Sequence, residues 1–294
     1  MLPLLTARDI EQNLRQFLQA MFPITTLGFQ REGDGTIVSE FLATPGALLK
    51  GPWLEVKLPF RSAGNDVELP LRHIQLPYLP YRHQQVAFER LCGPTGRSTI
   101  VATGTGSGKT ECFMYPLLDH CLAHPGQGIK AIIIYPMNAL ATDQARRFAK
   151  EVSKLPTRLS VGLFTGDNGS DSRVMTPEQV ITHQDTLRQN PPDILLTNYK
   201  MLDFLLMRPK DQKLWRFNKP GMLRFLVVDE LHSFDGAQGT DLACLVRRLR
   251  DKLQIGNELA CVGTSATIGD ASAKESLRQY AEQVFATSFD DDAI

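Results

Sequence analysis

No apolar stretch in this 294-residue chain is long enough to cross a bilayer; runs such as AIIIYPM at 131–137 fall far short of the roughly 20 residues a spanning helix needs. Cysteine is scarce as well. Five residues, at 92, 112, 121, 244 and 261, form no CxxC pair and are odd in number, which argues against a disulfide framework and a zinc ribbon. Buried free thiols in a reducing cytoplasm are the natural reading. Charge of one sign is not in excess: 32 Lys and Arg balance 32 Asp and Glu, so the total carries no footprint of a nucleic-acid partner. A local basic groove is compatible with that neutral total. A signal peptide is not expected either, because Arg8, Asp9, Glu11 and Arg15 interrupt residues 1–22 with the spacing of a folded helix. There is no internal repeat and no low-complexity tract. What remains is an ordinary soluble composition, long enough for one large domain and an appendage.

The chemistry begins between Ile100 and Glu111, which read IVATGTGSGKTE. An apolar β-like run breaks into a loop from Thr103 to Thr110 in which Gly104, Gly106 and Gly108 let the backbone turn tightly. Successive N–H groups, including those of Thr105, Gly106, Ser107 and Gly108, can then converge on the oxygens of a polyphosphate. Lys109 supplies a point charge for the β- and γ-phosphates, and the Thr110 hydroxyl suits Mg²⁺. The helix expected next, through Cys112, Phe113, Leu117 and Leu118, aims its positive end at the same place. Thr103 stands where the usual GxxxxGK[ST] pattern has its first glycine, a departure that weakens a match to kinases and small GTPases but not to helicases. The expected ligands of the loop are therefore a polyphosphate and Mg²⁺.

Around this loop, apolar runs alternate with helical spacing. Strands are expected at 98–103, 131–136, 160–166, 193–199, 223–230 and 259–267, and helices at 138–152, 176–189 and 241–253. Near-continuous apolar strands alternating with helices predict an α/β fold, a doubly wound parallel sheet covered on both faces. An amphipathic helix over 6–22, a turn at Gly33–Gly35 and a strand over 53–60 make up a small N-terminal accessory domain. Prolines 70, 77 and 80 read as a stiff connector, placing the boundary near residue 75: accessory domain 1–75, nucleotide-binding domain 76–294. Leu242, Leu245, Val246 and Leu249 form an apolar stripe opposite Arg247, Arg248 and Arg250, which read as a solvated helix face. Gly236 and Gly239 predict a loop after residue 230.

In a doubly wound sheet, ligands bind at the carboxyl ends of strands. LRFLVVDE ends there with Asp229, placed to share Mg²⁺ with Thr110, and Glu230, placed to orient or deprotonate an attacking water. Lys109, Asp229 and Glu230 are the expected catalytic set.

With His232, the run Asp229-Glu230-Leu231-His232 resembles the superfamily 2 helicases of the DEAD/DEAH-box kind, in their first RecA-like lobe. The resemblance covers about residues 78–285. It implies ATP as the nucleotide, with Gln84, in PYRHQQ, or failing that Gln85, reading the adenine edge. Pro136, Asn138 and Gln144 of PMNALATDQ, Gly166 of FTGD, and Thr197-Asn198 are implied to touch the nucleic-acid backbone. His232 and Ser265-Ala266-Thr267 are implied to couple nucleotide state to that surface. DELHSFDGAQGTDLA, with YRHQ and IIIYPMNALATDQ, further resembles large bacterial helicases of the MrfA-like group, to which the helicase of the Druantia anti-phage system belongs.

That resemblance implies DNA, single-stranded or duplex, as partner, a role in phage defence or DNA repair with possible defence-system partner proteins, and no membrane. It also implies a second RecA-like lobe, since no motif of that lobe follows Thr267, and weak activity for these residues alone. Alternatives are a double-strand translocase that does not unwind and a non-catalytic, ATP-modulated nucleic-acid-binding module.

Overall fold

The computed structural model describes residues 3–21, 23, 40–42, 44, 59–64, 68–93, 96–104, 106–166, 171–266 and 271–293. Thr105, Asp167, Thr267, the Gly33–Gly35 turn and most of the expected strand over 53–60 lie outside them. The chain divides into two compact units, Met1–Pro59 and Phe60–Ile294. In the first, α1 (Pro3–Met21) is the amphipathic helix expected from its spacing.

The second unit carries a six-stranded sheet among the described residues. Its strands are β1 (Thr99–Ala102), β2 (Ala131–Tyr135), β3 (Val161–Phe164), β4 (Ile194–Asn198), β5 (Phe225–Val228) and β6 (Ala260–Ser265). The order is β1-β6-β5-β2-β4-β3 and every pairing is parallel. All six lie within the expected runs, because a strand covered on both faces must be apolar at nearly every position.

Two layers cover the sheet. On one face, α2 (Arg82–Leu91), α3 (Lys109–Ala123) and α4 (Asn138–Val152) bury Phe88, Phe113, Leu117 and Phe148 against Ile133, Leu196 and Val227. On the other, α6 (Tyr199–Met207), α7 (Gly236–Lys252) and α8 (Ala271–Phe285) bury Leu202, Leu242, Leu249 and Phe285 against Ile134, Leu195 and Val228. The short α5 (Gln184–Gln189) precedes β4. The stripe Leu242, Leu245, Val246 and Leu249 is buried, as its spacing predicts. Four of the cysteines are buried or half-buried, Cys244 is exposed, and all five are free thiols.

Two local expectations are corrected. The helix expected over 176–189 is helical only over Gln184–Gln189. Pro177 removes a donor, and the stretch between it and Gln184 is claimed by the sheet: Ile181 exchanges backbone hydrogen bonds with Val161 and Leu163 along the outer edge of β3. The loop expected at Gly236 and Gly239 is instead the start of α7. Gly239 sits inside a helix because Tyr280 packs onto it; a Cβ there would lie 2.5 Å from the Tyr280 hydroxyl. Close packing, not flexibility, accounts for this glycine.

Residues 60–64 and 68–80 belong to the second unit. Ser62 bridges Tyr81, Ala63 N–H donates to Pro80 O at 2.9 Å, and His73 N–H donates to Asp119 Oδ1 at 2.6 Å.

Candidate nucleotide and nucleic-acid site

The sheet order sets β1, β6 and β5 side by side, so their carboxyl ends bring together residues that lie far apart in sequence. After β1 the chain enters the glycine-rich loop. Gly106 and Gly108 both take φ near +77°, a conformation side chains disfavour. Gly108 is also crowded: a Cβ there would lie 2.4 Å from Gln84 Nε2. Ser107 is fully buried and shares a 2.6 Å hydroxyl contact with Thr103. Here the threonine that replaces the usual first glycine ties the loop together.

Lys109 and Thr110 open α3. Lys109 Nζ donates to Ser265 O at 3.1 Å, at the end of β6, and lies 3.6 Å from Glu230 Oε1. Asp229 follows β5 and is buried; Thr264 Oγ1 donates to its Oδ1 at 2.5 Å. The same Thr264 hydroxyl accepts from Glu230 N–H at 2.9 Å. Burial raises the Asp229 carboxyl above the usual range, the Glu230 charge adds to this, and the Thr264 bond and the Lys109 charge oppose it. Glu230 adopts φ 50°, ψ 50°, a left-handed backbone that turns its carboxylate back toward Lys109. Such a conformation costs about 1–3 kcal/mol in a non-glycine residue and recurs at functional sites.

His232 lies in the turn that follows, its Nδ1 3.2 Å from Ser265 Oγ and 3.5 Å from Glu230 Oε2. Ala266, which follows Ser265, is exposed. One imidazole therefore touches both the acid after β5 and the serine ending β6.

Gln84 holds structure at this site. Its Oε1 accepts from Tyr81 N–H at 2.9 Å, capping α2, while its Nε2 donates to Gly108 O at 3.2 Å. His83 Nε2 contacts Ser107 O at 2.9 Å, and its ring stacks with Tyr81 and meets Phe60 edge-on. His83 is not legible in the sequence as a site residue; the fold brings it to the loop, with Phe60 packed on its ring.

Thr110 Oγ1 and the Asp229 carboxylate are hard oxygen donors of the kind Mg²⁺ prefers. Beside them, Tyr135 Oη and Glu111 Oε2 are buried without a hydrogen-bond partner. Tyr135 and Asp229 follow the register pair Ile134 and Val228 and project to the α3–α4 face. Polar groups left unpaired at this depth fit a site that receives an ion and its waters.

The other implied residues collect at the carboxyl ends of β2, β4 and β3. Asn138, first residue of α4, is exposed and accepts from Asn198 Nδ2 at 2.6 Å. Asn198 also caps α6 by accepting from Met201 N–H at 2.7 Å. Pro136 is half-buried and Gly166 exposed. Thr197 is fully buried, its hydroxyl donating to Phe164 O at 2.7 Å, and Gln144 is buried and accepts from Arg147. Thr197 ties β4 to the end of β3, Gln144 faces Arg147, and neither is exposed beside Asn138, Gly166 and Asn198.

Volume does not mark the chemistry. A cavity of about 770 Å³ opens at the opposite end of the sheet, among His120, His124, Lys130 and Arg224.

The DEAD/DEAH box helicase family model matches residues 81–276, from the start of α2 into α8. This chain is a member of that family. The helicase relatives include the Druantia protein DruE of Escherichia coli, 24% identical over 93% of this chain and 21% of that protein. An uncharacterized ATP-dependent helicase of Methanocaldococcus jannaschii is 30% identical over 64% of this chain and 26% of its own length. Among solved structures, the DUF1998 helicase MrfA bound to DNA matches with a TM-score of 0.54 and 25% identity, over 71% of this chain and 26% of that chain. The chain thus spans about a fifth to a quarter of these helicases. Among the described residues no helix is long and apolar enough to cross a membrane.

Proposed function

We propose that this chain is the ATP-binding first lobe of a DNA helicase or translocase. The observation that carries the reading is the meeting of Lys109, Thr110, Asp229 and Glu230 at the carboxyl ends of β1 and β5, joined through His232 to Ser265 on β6. Loop N–H groups and Lys109 bind the β- and γ-phosphates. Thr110 and Asp229 hold Mg²⁺, which when bound neutralises charge on the phosphates. Glu230 orients the attacking water and accepts its proton. For that, Lys109 must leave Ser265 O and turn to the phosphates, which frees the end of β6. His232, touching both Glu230 and Ser265, senses the change.

The second half of the same edge serves the nucleic acid. Asn138, Asn198, Gly166 and Pro136 offer amide and backbone groups without a reading surface for bases, which suits a motor that works on any sequence. DNA is favoured over RNA because MrfA, a relative by fold and sequence, has been solved on DNA. Kinship with a Druantia protein supports a role in phage defence, with DNA repair as the neighbouring role and defence proteins as partners. Hydrolysis at full rate calls for an arginine finger from a second RecA-like lobe, worth about 10³–10⁵ in rate.

Glu230→Gln tests the assignment in the full-length protein. ATP binding should persist while DNA-stimulated turnover falls by about 10²-fold or more. Normal turnover in the variant would remove Glu230 from the mechanism.

A further inference from the structure

Arg147, on α4, belongs to none of the motifs, yet its guanidinium donates to Thr110, one of the two proposed metal ligands. Its Nη1 donates to Thr110 Oγ1 at 3.2 Å and to Gln144 Oε1 at 3.3 Å, and its Nη2 pairs with Glu111 Oε1. The guanidinium therefore forks between the hydroxyl and the carboxylate of two consecutive residues at the start of α3. Its side chain is 41% exposed, so it can withdraw without opening the core.

The arrangement is poorly explained as a support for the fold. A part-exposed ion pair adds about 0–1 kcal/mol to stability. The polar cluster around it is incompletely bonded: the other Glu111 oxygen and the Tyr135 hydroxyl have no partner. Settled structural networks satisfy such groups. What the guanidinium does satisfy is the one hydroxyl that the nucleotide reading gives to the metal. A cation bound through Thr110 Oγ1 and a guanidinium on the same oxygen face each other with like charge.

We propose that Arg147 is a positioning residue for the metal site, a tethered cation that holds Thr110 and Glu111 in place before an ion arrives and yields the hydroxyl to it. Arg147 thereby sets how strongly nucleotide binding depends on the metal. The inference rests on the proposed nucleotide site and adds a residue to it. Without Arg147, no hydrogen bond to Thr110 has to break and no positive charge opposes the ion, while Glu111 is left as an uncompensated negative charge beside the phosphates. All three effects favour ATP·Mg²⁺ over metal-free ATP.

The test is calorimetric titration of the 294-residue chain and of Arg147→Ala and Arg147→Lys, with ATP in Mg²⁺ and with ATP in EDTA. The quantity read is the ratio of the two affinities. Arg147→Ala should raise it roughly tenfold or more. Arg147→Lys, which keeps the charge but cannot fork, should fall between that variant and the wild type. A purely structural role moves both affinities together and leaves the ratio where it was, so a ratio unchanged within about twofold, or lowered, overturns the proposal. Lysine needs no refolding of the site, so the ordering of the two variants stands even if the alanine variant melts lower. A wild-type chain that binds neither form of ATP overturns the nucleotide site itself, and this proposal with it.

Discussion

Thr264 and Asp229 face each other across β6 and β5, and a single hydroxyl serves two neighbours: it donates to the Asp229 carboxylate and accepts from the Glu230 N–H. The acid proposed for the metal and the acid proposed for the water are thus aligned by one side chain. Thr264→Val keeps the shape and removes both bonds. It should destabilise the chain by about 1–3 kcal/mol, since a buried carboxylate and a part-buried N–H lose their partner. Urea unfolding measures this. An unchanged midpoint would show that solvent or another group replaces the hydroxyl.

The two loop glycines should not respond alike. Gly106 and Gly108 share φ near +77°, but a Cβ at Gly106 meets nothing within 4 Å, whereas at Gly108 it meets Gln84 Nε2 at 2.4 Å. Gly106→Ala carries the backbone cost alone, about 1 kcal/mol. Gly108→Ala carries that and a displaced Gln84, and should lose more stability and more nucleotide affinity. Paired thermal melts and ATP titrations check the order; equal effects would mean that Gln84 moves aside freely.

Acid should weaken the fold through His120. Burial, then the neighbouring His124, Arg224 and Lys130, lower its pKa to about 4 from an ordinary 6.5. The folded state therefore binds fewer protons than the unfolded chain between those values, so this contribution is complete above pH 6.5 and is lost as pH falls toward 4. With part of the ring in reach of solvent, about 1–2 kcal/mol is expected. His120→Gln should flatten stability across that window in chemical unfolding at stepped pH. A variant as acid-sensitive as the parent would assign the effect elsewhere.

The sheet was legible because burial on both faces leaves parallel strands nearly free of polar residues, and the site was legible where chemistry demands particular residue types: Gly-Lys-Thr for phosphates, Asp-Glu at a strand end. Contacts made by folding alone were not. Nothing near Arg147 in sequence points to Thr110, 37 residues away, and nothing marks Thr264 until β6 is known to lie beside β5. Local rules misled where tertiary packing overrode them. Gly239 reads as a loop residue, but the space it vacates is filled by Tyr280, and the stretch before Gln184 has helical spacing yet pairs with the edge of β3. Thr197 and Gln144 carry groups able to bind a backbone, but the fold turns both inward.

The loop from Thr103 to Thr110 is the centre of the proposed nucleotide site, and calorimetric titration with ATP·Mg²⁺ tests that assignment. The wild-type chain should bind with one site per molecule. Lys109→Ala, which removes the charge now resting between Ser265 O and Glu230, should weaken binding by about 10-fold or more, because backbone N–H groups alone do not replace a charge-assisted contact. Equal affinity in the two proteins would contradict the account, for it would place the nucleotide, if one binds, away from Lys109.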